Sequence, residues 1–417
     1  MKKNYFVLLF FLFGFISKGQ NTTIDSLYFQ GNIKTKTSFL MSLIKVSVGD
    51  DLDSNALERD IEQLKRIPSI GHAYYQLKYL TDNKVIVTYG IKESYTILPE
   101  VSLWSSKGRT WFKTGIHEYN TFGKNIAIGG FYQNNGKHSY GLNFKAPYLF
   151  SNKVGLSVNY LHWVSDEPLY FENQTANYEY KNRSLEIVGI LEPSFNHKFE
   201  IGGSIFNEVY TYLSGASASE VPQFLDLNKY LSKIYYQFYK IKQHYQYQDG
   251  ISNDLNLQAV FSRKDNGFFI VRNDLKVFKR IKNKGNLGAR IRFGLGSNSF
   301  SPFSPFVIDN HENVRGIGDR INRGTGNLTL NVEYRHTLID KEWLIVQGVG
   351  FTDHSTLRLP GKAINQLFQL NNMYSTIGIG TRLTLKQIYG AILRIDYGFG
   401  IQEGTDQGLV IGLGQYF

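Results

Sequence analysis

The residue pair that most invites a catalytic reading is Asp353-His354, an acid beside a base. A carboxylate orients an imidazole for proton transfer only when both reach the same proton. This pair falls in a run that alternates like a strand. Neighbours in a strand point to opposite faces, so the two cannot form a dyad. No Gly-x-Ser-x-Gly accompanies them, and with no cysteine there is no thiol nucleophile, thiolate ligand or disulfide. The 9 histidines are scattered, with no two at ligand spacing on one element, so no metal is expected. Gly288, Gly294, Gly378 and Gly380 lie in strand-like runs, not at a strand-to-helix turn. They read as relief of crowding inside a barrel, not as a phosphate loop. The basic residues Lys276, Lys279, Arg280, Lys282 and Lys284 surround a turn, either solvated or touching acidic headgroups. The expectation is no enzyme, no cofactor and no nucleic-acid partner.

The elements that would position any functional group are strands. Aromatic residues reach 15%, and Gly 40 against Pro 9 favours tight turns. That mix excludes disorder and suits β-structure. A mean hydropathy of −0.27 excludes a polytopic helical membrane protein. Met1-Lys2-Lys3 is followed by an apolar run from Tyr5 to Ile16 and by Ser17-Lys18-Gly19, small residues framing a cleavage site after Gly19. Residues 1–19 are therefore expected to be a removed signal peptide. No later apolar run is long enough for a spanning helix, so membrane insertion would need a β-barrel.

Helical periodicity is confined to the region before residue 97. Ile24, Leu27 and Phe29 lead to a turn at Gly31-Asn32. A helix is predicted over 38–45, capped by Thr37, and a second over 55–66, capped by Ser54, with Leu57, Ile61 and Leu64 on one face. Strands at 72–80 and 84–92 would pair through a hairpin at Asp82-Asn83. The order β-α-α-β-β resembles a POTRA domain, here over residues 20–96, although a generic small α/β unit has the same order. The matching features are Gly31-Asn32, the Gly49-Asp50 break, the Leu57/Leu64 helix and Glu93. The resemblance implies a periplasmic module. Its open sheet edge, with Tyr74, Tyr75, Leu77 and Tyr79 as candidates, would add a strand from a client or partner.

Residues 97–417 carry short alternating runs punctuated by Gly, Asn, Asp and Lys. Leu287, Ala289, Ile291 and Phe293 oppose Gly288, Arg290, Arg292 and Gly294. Leu328, Leu330, Val332 and Tyr334 oppose Asn331, Glu333 and Arg335. Leu393, Ile395, Tyr397 and Phe399 oppose Arg394, Asp396 and Gly398. A soluble sandwich shows the same alternation with the faces reversed. The export signal and the length favour an apolar-out transmembrane barrel. Sixteen strands are predicted, the first near 98–105 and the last at 407–417. Turns at 119–124, 148–153, 193–198 and 280–285 would lie on the periplasmic side. Ser214–Asn228, Ser297–Thr325 and His354–Asn372 would be loops outside. Leu409, Ile411, Leu413 and Phe417 are expected on one face, which resembles the C-terminal signal of outer-membrane barrels.

The longest loop contains Asn313-Val314-Arg315-Gly316-Ile317-Gly318-Asp319. Val-Arg-Gly followed by an aromatic marks the sixth outer loop of the BamA, TamA and two-partner-secretion superfamily, which this chain resembles over about residues 25–417, with Ile317 in place of the aromatic. The resemblance implies that Val314, Arg315 and Gly316 fold into the barrel. Arg315 would meet Asp353 of Phe351-Thr352-Asp353-His354-Ser355 on the thirteenth strand, where Ser355 replaces a glycine. A carboxylate offers the fork geometry a guanidinium needs. Glu333 and Arg335 have lumen parity and would extend the network. The implied function is translocation of polypeptides across, or insertion into, the outer membrane. Its partners would be an unfolded client, a periplasmic or lipoprotein partner, and outer-membrane lipid. A passive porin would need neither the module nor the loop motif, and a barrel enzyme would need a nucleophile–base set.

Overall fold

The computed structural model describes residues 22–80, 83–106, 109–171, 174–217, 221–262, 267–299, 305–308, 313–317, 322–388, 391–402 and 407–417. The expected signal peptide, Asp82 of the hairpin turn, and Gly318 and Asp319 of the loop motif lie outside these residues.

The N-terminal unit runs β1 (Thr23–Gln30), α1 (Thr37–Leu43), α2 (Ser54–Leu64), β2 (Ile70–Tyr79) and β3 (Lys84–Glu93), the predicted order. The last strand is central: β1 pairs parallel to β3 and β2 pairs antiparallel to it. Leu40, Leu57, Ile61 and Leu64 from the helices bury against Ile24, Val85, Val87 and Tyr89 of the sheet. The caps differ by one residue from expectation. Thr37 and Ser54 are the first helical residues; Lys36 precedes α1 without a side-chain cap, while Asp53 caps α2 by accepting from Asn55 N. A carboxylate serves this position as well as a hydroxyl does. Buried Asp60 on α2 accepts from the Lys45 and Val46 amides and from Tyr89 Oη, at 2.9, 3.2 and 2.9 Å. It thus ties the α1–α2 link to β3, and a buried carboxylate so satisfied costs little.

The rest is one antiparallel sheet of 16 strands in chain order. They are β4 (Ile97–Ser106), β5 (Arg109–Thr121), β6 (Ile126–Asn134), β7 (His138–Ser151), β8 (Val154–Phe171), β9 (Gln174–Ser194), β10 (His197–Gly215), β11 (Phe224–His244), β12 (Tyr247–Ser262), β13 (Phe268–Ile281) and β14 (Gly285–Gly296). A small ribbon, β15 (Phe306–Ile308) with β16 (Asn322–Gly324), follows. The wall resumes with β17 (Gly326–Asp340), β18 (Leu344–Arg358), β19 (Met373–Leu385), β20 (Ile392–Gly400) and β21 (Gln407–Leu413). Outward residues such as Ile201, Ile205, Ile234, Ile291 and Ile379 are apolar and exposed, whereas Asn331, Glu333 and Arg335 face in and are buried. Apolar-out, polar-in alternation in a sheet of this size is the signature of a transmembrane barrel.

Two of the expected outside loops are shorter than predicted. β10 continues to Gly215, β11 begins at Phe224, and β18 continues to Arg358. Inward Tyr178, Tyr210, Leu169 and Val221 form an apolar cluster that extends the β8–β11 wall. At 21 residues, β9 and β11 far exceed the ~9–11 that hydrocarbon requires, so they project beyond it.

The N-terminal unit packs on the short-turn end of the barrel. Lys36 N donates to Gly123 O at 3.0 Å and Asn120 Nδ2 to Thr35 Oγ1 at 3.0 Å. Asn152 Nδ2 donates to Ser42 O, and the Phe39 and Tyr148 rings meet at 5.8 Å. Arg66, just past α2, donates to Phe195 O and lies 3.4 Å from the Phe195 ring centroid.

β4 and β21 are the two ends of the sheet, and among the described residues no register joins them. A single parallel bridge, Tyr95 with Ile388, pins the start of β4 to the β19–β20 turn.

Candidate functional site: a buried ion network under residues 313–317

Period-two alternation aims one residue in two from β17–β20 into the lumen. Glu333 and Arg335 come from β17, Asp353 from β18, Arg382 from β19 and Asp396 from β20. Arg315 joins them from the loop between β15 and β16. All six are 0–1% exposed. Three guanidinium groups face three carboxylates, with the buried Arg290 and Arg394 guanidinium groups close by on the Tyr416 ring.

Arg315 is the hub. Its Nε donates to Asp353 Oδ2 at 2.8 Å and its Nη2 to Asp353 Oδ1 at 2.9 Å, a two-pronged pair. Its backbone N–H also donates to Asp353 Oδ2, at 3.0 Å. Arg315 Nη1 reaches Glu333 Oε2 at 2.7 Å and Asp396 Oδ2 at 3.5 Å. Arg382 Nη1 donates to Asp396 Oδ1 at 2.6 Å, and Arg335 Nε donates to Glu333 Oε1. Asn331 Nδ2 bridges Asp353 Oδ1 and Asn313 O, at 2.8 and 2.9 Å.

Glycines let these groups approach. Gly316 has φ +90°, and a Cβ there would meet the backbone of Gly398 at 2.5 Å. A Cβ at Gly380 would meet Asp396 Oδ1 at 1.9 Å. Val314 and Ile317 sit in an apolar cluster with Phe306, Ile308 and Leu357, so Ile fills the place where the resemblance has an aromatic. Ser355 Oγ pairs with Thr329 Oγ1 at 2.7 Å.

The loop-motif and lumen residues named from sequence therefore meet in one place, whereas the C-terminal signal departs from expectation. Leu409, Ile411 and Leu413 face outward, but Phe417 does not share their face. β21 ends at Leu413, Gly414 takes φ +86°, and the chain turns into the lumen. Phe417 stacks on Phe278 at 6.0 Å, and Tyr416 lies 4.1 Å from the Arg315 guanidinium carbon. A left-handed glycine breaks the alternation that sequence parity assumes.

Arg382, Asp396 and Tyr416 in this network, and Arg66 where the N-terminal unit meets the barrel, were not singled out from sequence. Asp396 shared the polar face of its run, which was the available signal; Tyr416 and Arg66 carried none. His354 faces away from Asp353, as strand parity requires, and its ring nitrogens contact Ser375 Oγ and Thr352 Oγ1 at 2.9 and 3.0 Å. On β2, Tyr74 and Tyr79 are exposed, whereas Tyr75 and Leu77 pack partly against the core of the N-terminal unit.

Each carboxylate of the network is held by a guanidinium, so the arrangement fastens the loop and four strands to one another. Removing one member of such a set leaves its partners buried and uncompensated.

No family model matches the chain, and no curated protein sequence matches it. Among solved structures it is similar to BamA from Haemophilus ducreyi lacking POTRA domains 1-3, at 14% identity and TM-score 0.55, covering 94% of this chain and 85% of that one. CdiB from Acinetobacter baumannii aligns at 13% identity and TM-score 0.60, covering 94% and 74%. CdiB from Escherichia coli aligns at 9% and 0.56, covering 95% and 90%. The chain thus has the fold of the BamA and CdiB barrels, an outer-membrane-type barrel of 16 strands behind one small β-α-α-β-β unit.

Proposed function

We propose that this protein resides in the outer membrane of a bacterial cell and moves polypeptides across that membrane or into it. Residues 97–417 form the barrel and residues 20–96 a single periplasmic POTRA module. The observation that carries this reading is the seam. Among the described residues β4 and β21 each hydrogen-bond a neighbouring strand on one side only, so both present main-chain N–H and C=O groups to an incoming strand. The N-terminal unit repeats the feature below the barrel: β2, with Tyr74, Tyr75, Leu77 and Tyr79, is an edge strand. Strand addition there binds backbone with little sequence demand, at about 0.5–1.5 kcal/mol per hydrogen bond, which suits weak and reversible capture. The Arg315–Asp353 pair acts as the lock that keeps the loop inside the lumen, with Val314, Gly316, Glu333 and Arg335 seating it. The work is strand exchange and needs no catalysis.

The test is a photo-crosslinker at Tyr74 or Tyr79 in cells, combined with deletion of residues 25–93 behind an intact signal. The expected result is a polypeptide caught in the periplasm and a truncated barrel that still folds but no longer handles that client. Normal client handling by the truncated barrel would overturn capture by the module, leaving it a docking or orienting role.

A further inference from the structure

The outer wall carries one charged feature that the transport reading does not use. On β9 the outward residues from Leu185 through Ile187 to Leu191 are apolar and exposed, and one step toward the long-loop end stands Arg183. Strand register sets His162 beside Arg183 on one flank and Asn207 on the other, with Asn228 next to Asn207. Arg183, Asn207, Asn228, Ile205 and Tyr230 line a recess of about 360 Å³. Among the described residues no acceptor holds the Arg183 guanidinium. The nearby carboxylates are engaged: Asp226 accepts from Asn207 Nδ2 at 2.6 Å, and Glu179 is held by Lys137 and Lys181. Asn207 also donates to Asn228 Oδ1 at 3.0 Å, which leaves the Asn228 NH₂ to donate elsewhere. His162 Nδ1 is buried without a hydrogen-bond partner, its ring 4.9 Å from Tyr140.

The geometry points to a binding site for the phosphate of an anionic lipid in the leaflet at the long-loop end. The donors lining the recess are a guanidinium fork and a free amide NH₂, and a phosphate monoester is the acceptor they fit. The height decides for a lipid over a free anion. The site stands where the apolar wall ends, so a phosphate held there places acyl chains along Ile205, Leu185 and Ile201. The site would fix the wall of β8–β11 in the bilayer, on the strands that project beyond the hydrocarbon. The inference rests on the outward wall facing lipid, and its failure would leave client handling untouched.

The experiment titrates the full barrel, in zwitterionic micelles, with short-chain phosphatidic acid and with inorganic phosphate. Saturable phosphatidic acid binding is expected, with inorganic phosphate a poor competitor. Arg183→Gln should weaken it about tenfold, the share of one charged hydrogen-bonding group. Arg59→Gln, on exposed α2 of the N-terminal unit, should leave it unchanged. Heat-modifiable migration checks that each variant is folded, and Asn228→Ala supplies an independent loss at the same recess. Equal binding by wild type and both recess variants overturns the site. Displacement by inorganic phosphate as effective as by the lipid overturns the lipid assignment.

Discussion

The ring of Tyr416 lies 4.1 Å from the guanidinium carbon of Arg315, on a cation that also lies 3.6 Å from the Phe351 ring. One side chain of the loop therefore touches both the thirteenth barrel strand and the tail of the last strand. Loop seating and the inward turn after β21 are mechanically one contact.

Arg315→Ala should destabilise the barrel by about 3–5 kcal/mol, because Asp353 stays buried without its cation and Glu333 loses one of its guanidinium partners. Unfolding midpoints in denaturant, read by heat-modifiable migration, measure this. The double variant with Asp353→Asn should recover part of the loss. Arg315→Lys should recover little, since an ammonium cannot fill the fork. Wild-type stability and activity of Arg315→Ala would end the lock proposal.

Tyr416→Ala should cost about 1–2 kcal/mol, the scale of a desolvated cation–π contact. Tyr416→Phe keeps the ring and should stay near wild type. If the tail moves with the loop, Tyr416→Ala combined with Arg315→Ala should be less than additive in the same unfolding assay.

A cysteine at Ser217 or Gly361 should label from outside intact cells, and one at Asn196 should not. Asn196 lies at the end that the N-terminal unit covers, where its carbonyl accepts from Tyr239 N at 2.9 Å. Labelling of Asn196 in intact cells would reverse the orientation.

Arg66→Ala should loosen the N-terminal unit from the barrel. Its contact with Phe195 is worth about 0.5–2 kcal/mol, so limited proteolysis of residues 23–93 should accelerate while the barrel stays resistant. Unchanged cleavage would show that Phe39–Tyr148 and the Lys36–Gly123 bond suffice.

Glu93 ends β3 and accepts from the Lys34 and Thr35 amides at 2.9 and 2.7 Å. Burial alone would raise its pKa, but these donors outweigh burial and hold the carboxyl below its ordinary value. A carboxylate depressed in the folded state stabilises fully above the ordinary Glu range and loses that contribution as pH falls through it. Acid should therefore loosen the 31–35 turn before the hydrophobic core of the unit. Amide exchange at Lys34 and Thr35 reads this, and Glu93→Gln should abolish the pH dependence.

The barrel was legible because alternation is a local signal. Leu393, Arg394, Ile395 and Asp396 declare their faces within four residues, and strand order then follows the chain. Helix caps at Asp53 and Lys36 were missed by one residue, since Asp-Ser and Lys-Thr pairs offer adjacent candidates. The Arg315–Asp353 meeting came from the loop motif's resemblance and not from spacing. Arg382 entered unseen because its partner Asp396 lies on another strand, and register alone brings them together. Phe417 was misplaced because parity assumes a continuous strand, and Gly414 interrupts it.

The order of the barrel sheet has a consequence for assembly. Each register in the wall joins strands consecutive along the wall, and apart from β14 to β17 and β18 to β19 the connections are short. Loop closure therefore costs little at each hairpin, and the wall can zip from neighbour to neighbour. Joining β4 to β21 would be the most distant pairing available to the wall, and it is the one the sheet does not make among the described residues. The seam is thus the slowest contact in folding terms as well as the open one, so a strand from another chain meets its least kinetic competition there.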